Sequence, residues 1–146
     1  MREPFQLMAK PVSFHCNLAC EYCFYLPRGD NAWQGKSANL PMSESVLRTF
    51  IQRYIAASPG PDIHFTWQGG EPTLAGLAFY RQVITLQKHY AGDKRIHNSL
   101  QTNGVLLTDA WVDFLAEHQF LVGVSVDGPQ TMHDCYRHNN AGRSVF

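Results

Sequence analysis

Strand-like and helix-like stretches alternate along this chain, and the strand-like ones run into knots of glycine and polar residues. Leu7 to Phe14 reads as a first strand. Pro11 has no N–H, so that strand lies at a sheet edge or ends near there. Ser43 reads as an N-cap with Glu44 in the first turn. Behind it Val46, Leu47, Phe50, Ile51, Tyr54 and Ile55 share one helical face, until Ser58-Pro59-Gly60-Pro61 stops the helix. Ile63 to Trp67 reads as a second strand. Ala75 to Tyr90 reads as a helix with Leu77, Tyr80, Val83, Ile84 and Gln87 on one face, and Ile96 to Gln101 as a third strand. Thr108 is expected to cap a third helix, with Asp109 in its first turn and Trp111, Val112 and Leu115 inward. Phe120 to Val126 is a near-continuous apolar run, the pattern of a strand covered on both faces. Pro27 to Pro41 reads as a surface loop, and Gln130 to Phe146 as a polar stretch rich in His, Asn and Arg.

The order βαβαβαβ implies a parallel sheet with right-handed crossovers. A TIM barrel uses roughly 30 residues per βα unit, so 146 residues hold about four units. The expected fold class is α/β, a partial TIM-like parallel (β/α) barrel forming a single domain over residues 1–146. Its last strand would present an unpaired edge, so the chain is expected to be part of a longer protein or to pair that edge with a partner. Net charge is zero, so no basic surface argues for nucleic acid. No apolar run approaches the ~20 residues of a membrane span. Met1 to Lys10 lacks the apolar core of a signal peptide, and the expected location is cytoplasmic.

Chemistry enters with Cys16, Cys20 and Cys23, spaced C-x3-C-x2-C. Thiolates hold cubane iron–sulfur clusters, four to a full set. Three leave one iron open to a non-protein ligand, and an open iron can act on what binds it. Zinc is the first rival. It wants four ligands, usually in pairs; His15 directly precedes Cys16, and no second pair follows at finger spacing. Disulfides are the second rival, but clustered thiols in an intracellular chain favour metal. Cys135 reads as a free thiol. The seven histidines are scattered and read mostly as surface or loop residues, with His15 packing beside the cysteine loop. Trp67, Tyr80, Trp111 and Phe114 read as core, Asp109 and Asp113 as helix-surface charges.

In parallel α/β folds ligands sit at the carboxyl ends of strands. There the sequence places the cysteines, then Gln68-Gly69-Gly70-Glu71-Pro72, then Gln101, Thr102 and Asn103, then Ser125 and Asp127. Each alone could be an ordinary turn or cap; four on one rim point to a site. Gly69 and Gly70, lacking side chains, would let a ligand approach the backbone, and Glu71 would place a negative charge near an ammonium group.

The cysteine run resembles the signature of the radical S-adenosylmethionine (SAM) superfamily, with Tyr22 and Phe24 as its flanking aromatics. The resemblance implies a [4Fe-4S] cluster on Cys16, Cys20 and Cys23, and SAM bound to its open iron. The reduced cluster would split the SAM sulfonium to a 5′-deoxyadenosyl radical. The segment 69–72 is similar to the GGEP motif of that superfamily, which implies contact with SAM's amino group. Ser125 and Arg137 match residues that contact the ribose and carboxylate, and Tyr22 falls among the cofactor-binding positions. Further runs resemble anaerobic sulfatase-maturating enzymes: Met8-Ala9-Lys10-Pro11, Cys23-Phe24-Tyr25-Leu26, residues 65–74, residues 98–104, and residues 124–129 with His133-Asp134. That family oxidises a Cys or Ser of a sulfatase polypeptide to Cα-formylglycine, with an electron donor such as flavodoxin or ferredoxin. Tyr25 and Gln68 would face the substrate. The family's proton-accepting carboxylate and its C-terminal auxiliary-cluster region have no counterpart in these 146 residues. The alternative reading is a truncated, non-catalytic relative acting as a regulatory or protein-interaction module.

Overall fold

The computed structural model describes Glu3, residues 5–25 and residues 41–146. Apart from Pro41, the loop expected over Pro27 to Pro41 lies outside them. Four parallel strands, β1 (Leu7–Ala9), β2 (Asp62–Trp67), β3 (Arg95–Thr102) and β4 (Leu121–Val124), stand side by side in chain order. Helices α1 (Glu44–Ala57), α2 (Gly76–Tyr90) and α3 (Asp109–Glu117) connect them, and α4 (Gln130–Tyr136) follows β4. A doubly wound sheet reverses its strand order part-way. This one does not, so its crossovers run one way and the helices gather on one face, as in a segment of a β/α barrel.

Side-chain alternation decides which face. Ile63, Phe65 and Trp67 of β2 are buried with Leu100 of β3 against Leu47, Ile51 and Tyr54 of α1, Tyr80 and Val83 of α2, and Trp111, Phe114 and Leu115 of α3. Asp62, His64 and Thr66 take the opposite face of β2. Two valines expected inward are not. Val46 and Val112 are 53% and 55% exposed, because 3.6 residues per turn puts each one step beside its helix's stripe, and Phe114 fills the place expected of Val112. β4 also departs from expectation. Val122 packs on the core, but Leu121 is 75% exposed. Leu121 stands opposite Ser99 on the sheet face away from the helices, and that face of β4 has no cover among the described residues.

Local signals set the ends of the elements. β1 stops two residues before Pro11 and is the other edge of the sheet. The chain turns there rather than extending to Phe14, with Ser13 N donating to Lys10 O at 3.1 Å and Ser13 at φ 57°. Ser43 Oγ accepts from Val46 N at 3.4 Å at the start of α1. At its end, Lys94 Nζ donates to the carbonyls of Ile55 and Ser58, both at 2.6 Å, a cation where the helix dipole is negative. Thr108 stands at the N-cap of α3 in extended backbone, but its side chain makes no cap bond; its carbonyl receives Trp111 N at 2.8 Å. The seven residues of α4 had no periodic signal to give: of them only His133 is buried.

One buried polar knot joins the layers. Asn98 Oδ1 of β3 accepts from Trp67 Nε1 of β2 and Gln87 Nε2 of α2, and Asn98 Nδ2 donates to Gln87 Oε1, each at 2.9 Å. Asn98→Ala strands these partners in the core. Leaving buried donors unsatisfied costs roughly 1–3 kcal/mol each, so urea denaturation is expected to show a loss of about 2–4 kcal/mol.

Candidate functional site

The turn at residues 11–14 sends the chain over the carboxyl ends of the strands. Cys16, Cys20 and Cys23 line a cavity of about 200 Å³ there with Gln68, Gly69 and Gly70 after β2, Gln101, Thr102 and Asn103 at the end of β3, Ser125 after β4, and Arg137 after α4. Tyr22 and Tyr25 of the cysteine loop line it too. Of the residues expected to hold the cluster, the cofactor or the substrate, all but Glu71 therefore meet at one cavity. Glu71 does not line it.

The three cysteines are free thiols. Burial pushes the Cys16 and Cys20 thiols up; amide hydrogen bonds oppose this at Cys16, and the Arg137 charge at Cys20. Leu18 N donates to Cys16 Sγ at 3.4 Å and Asn103 Nδ2 lies 3.7 Å from the same sulfur. The far side of the loop is stitched to the end of α4 and the residues just after it: Glu21 N donates to Tyr136 O at 3.0 Å and Ala19 N to His138 O at 2.9 Å. Sequence periodicity gave no hint of this bracket. Cys135 is exposed on α4, its thiol on the Thr131 carbonyl.

Glu71 points into the protein. It is 1% exposed. Its Oε1 accepts from Thr73 N at 3.0 Å, Thr73 Oγ1 at 2.6 Å and Thr102 Oγ1 at 2.7 Å, and its Oε2 accepts from Asn103 N at 2.7 Å. Four donors solvate a carboxylate that would otherwise be costly to bury. The arrangement differs from a charge offered to a ligand: this side chain ties the turn after β2 to the end of β3. The glycines line the cavity as expected and have a second use. A Cβ on Gly70 would lie 2.1 Å from His15 O, and one on Gly69 2.6 Å from the Lys10 side chain. Their missing side chains make room for the protein's own backbone and Lys10, while their peptide groups border the cavity. Gly69 and Gly70 also sit at φ +91° and +53°, which favours glycine.

Arg137 is held in place by Asp127. Arg137 Nε and Nη2 donate to the two Asp127 oxygens at 2.8 and 3.2 Å. Tyr22 Oη donates to Asp127 Oδ2 at 2.5 Å, and the guanidinium lies 5.4 Å from the Tyr22 ring centroid. Desolvation and the Asp127 hydrogen bond push the Tyr22 phenol up to about 12. Arg137, then Tyr22, hold the Asp127 carboxyl below the usual range. Asp127 N in turn approaches His133 Nδ1 at 3.4 Å, and His133 is buried rather than on the surface. Asp127 marked the rim in the sequence, but its pairing with Arg137 had no signal there.

The thiols of Cys16, Cys20 and Cys23 are the metal-binding side chains that line this cavity. Three thiols lining one cavity fit a group whose irons each take one thiolate. Residues 11–144 match the family model described as the Radical SAM superfamily. The chain belongs to the radical SAM superfamily. It is 46% identical over 144 residues to a serine-type anaerobic sulfatase-maturating enzyme of Bacteroides thetaiotaomicron, covering 99% of this chain and 34% of that one. It is 44% identical over 144 residues to a cysteine-type enzyme of Clostridium perfringens, covering 98% and 38%. The solved structure of native anSMEcpe with bound AdoMet and the Cp18Cys peptide superposes with a TM-score of 0.86 at 40% identity, covering 99% of this chain and 37% of that one. The chain thus spans about a third of the length of these radical SAM relatives.

Two outcomes follow. Glu71→Gln keeps the shape but turns an NH2 toward a donor, so urea unfolding is expected to show a loss of about 3 kcal/mol. A carboxyl depressed by folding contributes stability above the range of an unfolded carboxyl and loses it as pH falls through the folded value. Wild-type protein should therefore lose more stability than Asp127→Asn between about pH 5 and pH 3, measured by urea midpoints across that window.

Proposed function

We propose that this chain holds a [4Fe-4S] cluster on Cys16, Cys20 and Cys23 and binds SAM beside it, as the radical-generating part of a peptide-modifying oxidoreductase of the sulfatase-maturating type. The observation that carries the reading is the cavity that joins three free thiols to the peptide groups of Gly69 and Gly70. When bound, the pair supplies one-electron cleavage of the sulfonium to a hydrogen-abstracting radical. The chain's own residues bind and orient. The backbone of Gly69 and Gly70 accepts or donates to the methionine end of SAM, Ser125 and Arg137 offer donors to its oxygens, and Tyr22 fixes Arg137 through Asp127.

The substrate we infer is a sulfatase polypeptide whose Cys or Ser becomes Cα-formylglycine. Tyr25 and Gln68 face it from the cavity wall. Tyr25 Oη is buried without a hydrogen-bond partner among the described residues, and Lys10 Nζ stands 4.9 Å from the Tyr25 ring centroid. Gln68 Nε2 rests on the Met8 sulfur. The electron comes from a donor such as flavodoxin or ferredoxin, in the cytoplasm, where thiols stay reduced. No helix among the described residues is long and apolar enough to cross a membrane. We further propose that residues 1–146 form the N-terminal part of a radical SAM barrel, with the exposed edge of β4 as the place where further strands pair.

Anaerobic reconstitution with iron and sulfide tests the reading. About four irons per chain, and an EPR change on adding SAM, are expected, with Cys20→Ala losing the chromophore. Tight zinc without sulfide uptake would overturn it. With SAM and dithionite, formation of 5′-deoxyadenosine is expected, and its absence favours the regulatory module.

A further inference from the structure

Resting on that assignment of Ser125, we propose that Gln101, lying across the bare backbone of Gly123, is a positioning residue that fixes the direction in which the Ser125 hydroxyl donates. Gln101 Nε2 donates to Ser125 Oγ at 3.0 Å. A serine hydroxyl has one hydrogen to give and two lone pairs to receive with. With one lone pair taken by the amide, its hydrogen turns elsewhere, and no described residue accepts it. Ser125 borders the cavity, so the unspent donor serves an oxygen of the cofactor's carboxylate or ribose.

Gly123 makes this geometry attainable. It pairs with Gln101 across β3 and β4, and a Cβ there would lie 2.3 Å from Gln101 Oε1 and 3.2 Å from Cδ. Every atom crowded by that Cβ belongs to the amide end of Gln101. An added methyl therefore meets a movable side chain rather than backbone. Gly123→Ala shoulders Gln101 away from Ser125 while leaving both polar side chains present. Gly123 is thus needed by Gln101, not by the β4 backbone.

The test uses the chain with its cluster reconstituted, and equilibrium dialysis with SAM. Gly123→Ala and Gln101→Ala are each expected to weaken SAM binding about fivefold to tenfold, the scale of one hydrogen bond. The double variant is expected to be no weaker than either, since both remove the same contact. In the cofactor-free chain, the Gln101 side-chain amide NMR signal is expected to move on Ser125→Ala and on Gly123→Ala. Urea midpoints of Gly123→Ala should match wild type. Wild-type affinity in Gly123→Ala and Gln101→Ala, with Ser125→Ala still impaired, overturns this inference alone. Wild-type affinity in Ser125→Ala overturns the site assignment and this inference with it.

Discussion

A carboxylate with no charged partner among the described residues holds the rim together. Glu71 is sealed from water and solvated by four hydrogen bonds from three residues. Two of those bonds are local, to Thr73, and form a tight turn. The other two reach the end of β3 and fix Thr102 and Asn103 relative to the turn after β2. The same turn receives the cysteine loop, because Glu71 N donates to His15 O at 2.8 Å and Gly70 has no side chain to keep that carbonyl away. One residue thus fixes three segments that meet nowhere in sequence. Buried charges are tolerated when saturated with donors and are very costly when one donor is lost, so the rim has one arrangement rather than several.

The two faces of the sheet do different work. The helix side is apolar and aromatic, with Trp67 and Tyr80 at 5.8 Å and Tyr80 and Trp111 at 5.4 Å between ring centroids. The other side is polar. Asp62 pairs with Arg95 and His97, His97 stacks on His64, and Ser99 reaches Thr66. Parallel sheets are normally covered on both faces. A barrel solves that by curling the second face inward, and a polar inner face suits one that meets a polar ligand at its carboxyl end.

How much of this was legible in the sequence follows from the range of each interaction. Hydrophobic period and turn residues located all four strands and three helices, since those signals are local. The C-x3-C-x2-C run and the glycine pair located the rim for the same reason. What could not be read was side-chain direction. Nothing local says that Glu71 turns inward to Thr102, 31 residues away, or that Tyr22 finds Asp127 across 105 residues. Helix α4 was missed because an element of seven residues with one buried position has no periodicity to display. The apolar run through β4 was read correctly as a strand, but composition does not say what covers an edge.

The unread bonds share a logic. Arg137 has five N–H donors on a planar fork; Asp127 engages Nε and Nη2, which orients the remaining donors and prevents the fork from turning. Ser125 has its oxygen engaged by Gln101, which orients its hydrogen. In each case one side of the group is consumed by the protein so that the other side has a single direction. A group fixed this way loses little conformational freedom when a ligand arrives, and reduced ordering cost is what preorganisation contributes to affinity. The reading of Arg137 and Ser125 as ligand contacts therefore depends on the partners that orient them. Asp127, which does not line the cavity, and Gln101, which does, fix the directions in which those two donors point.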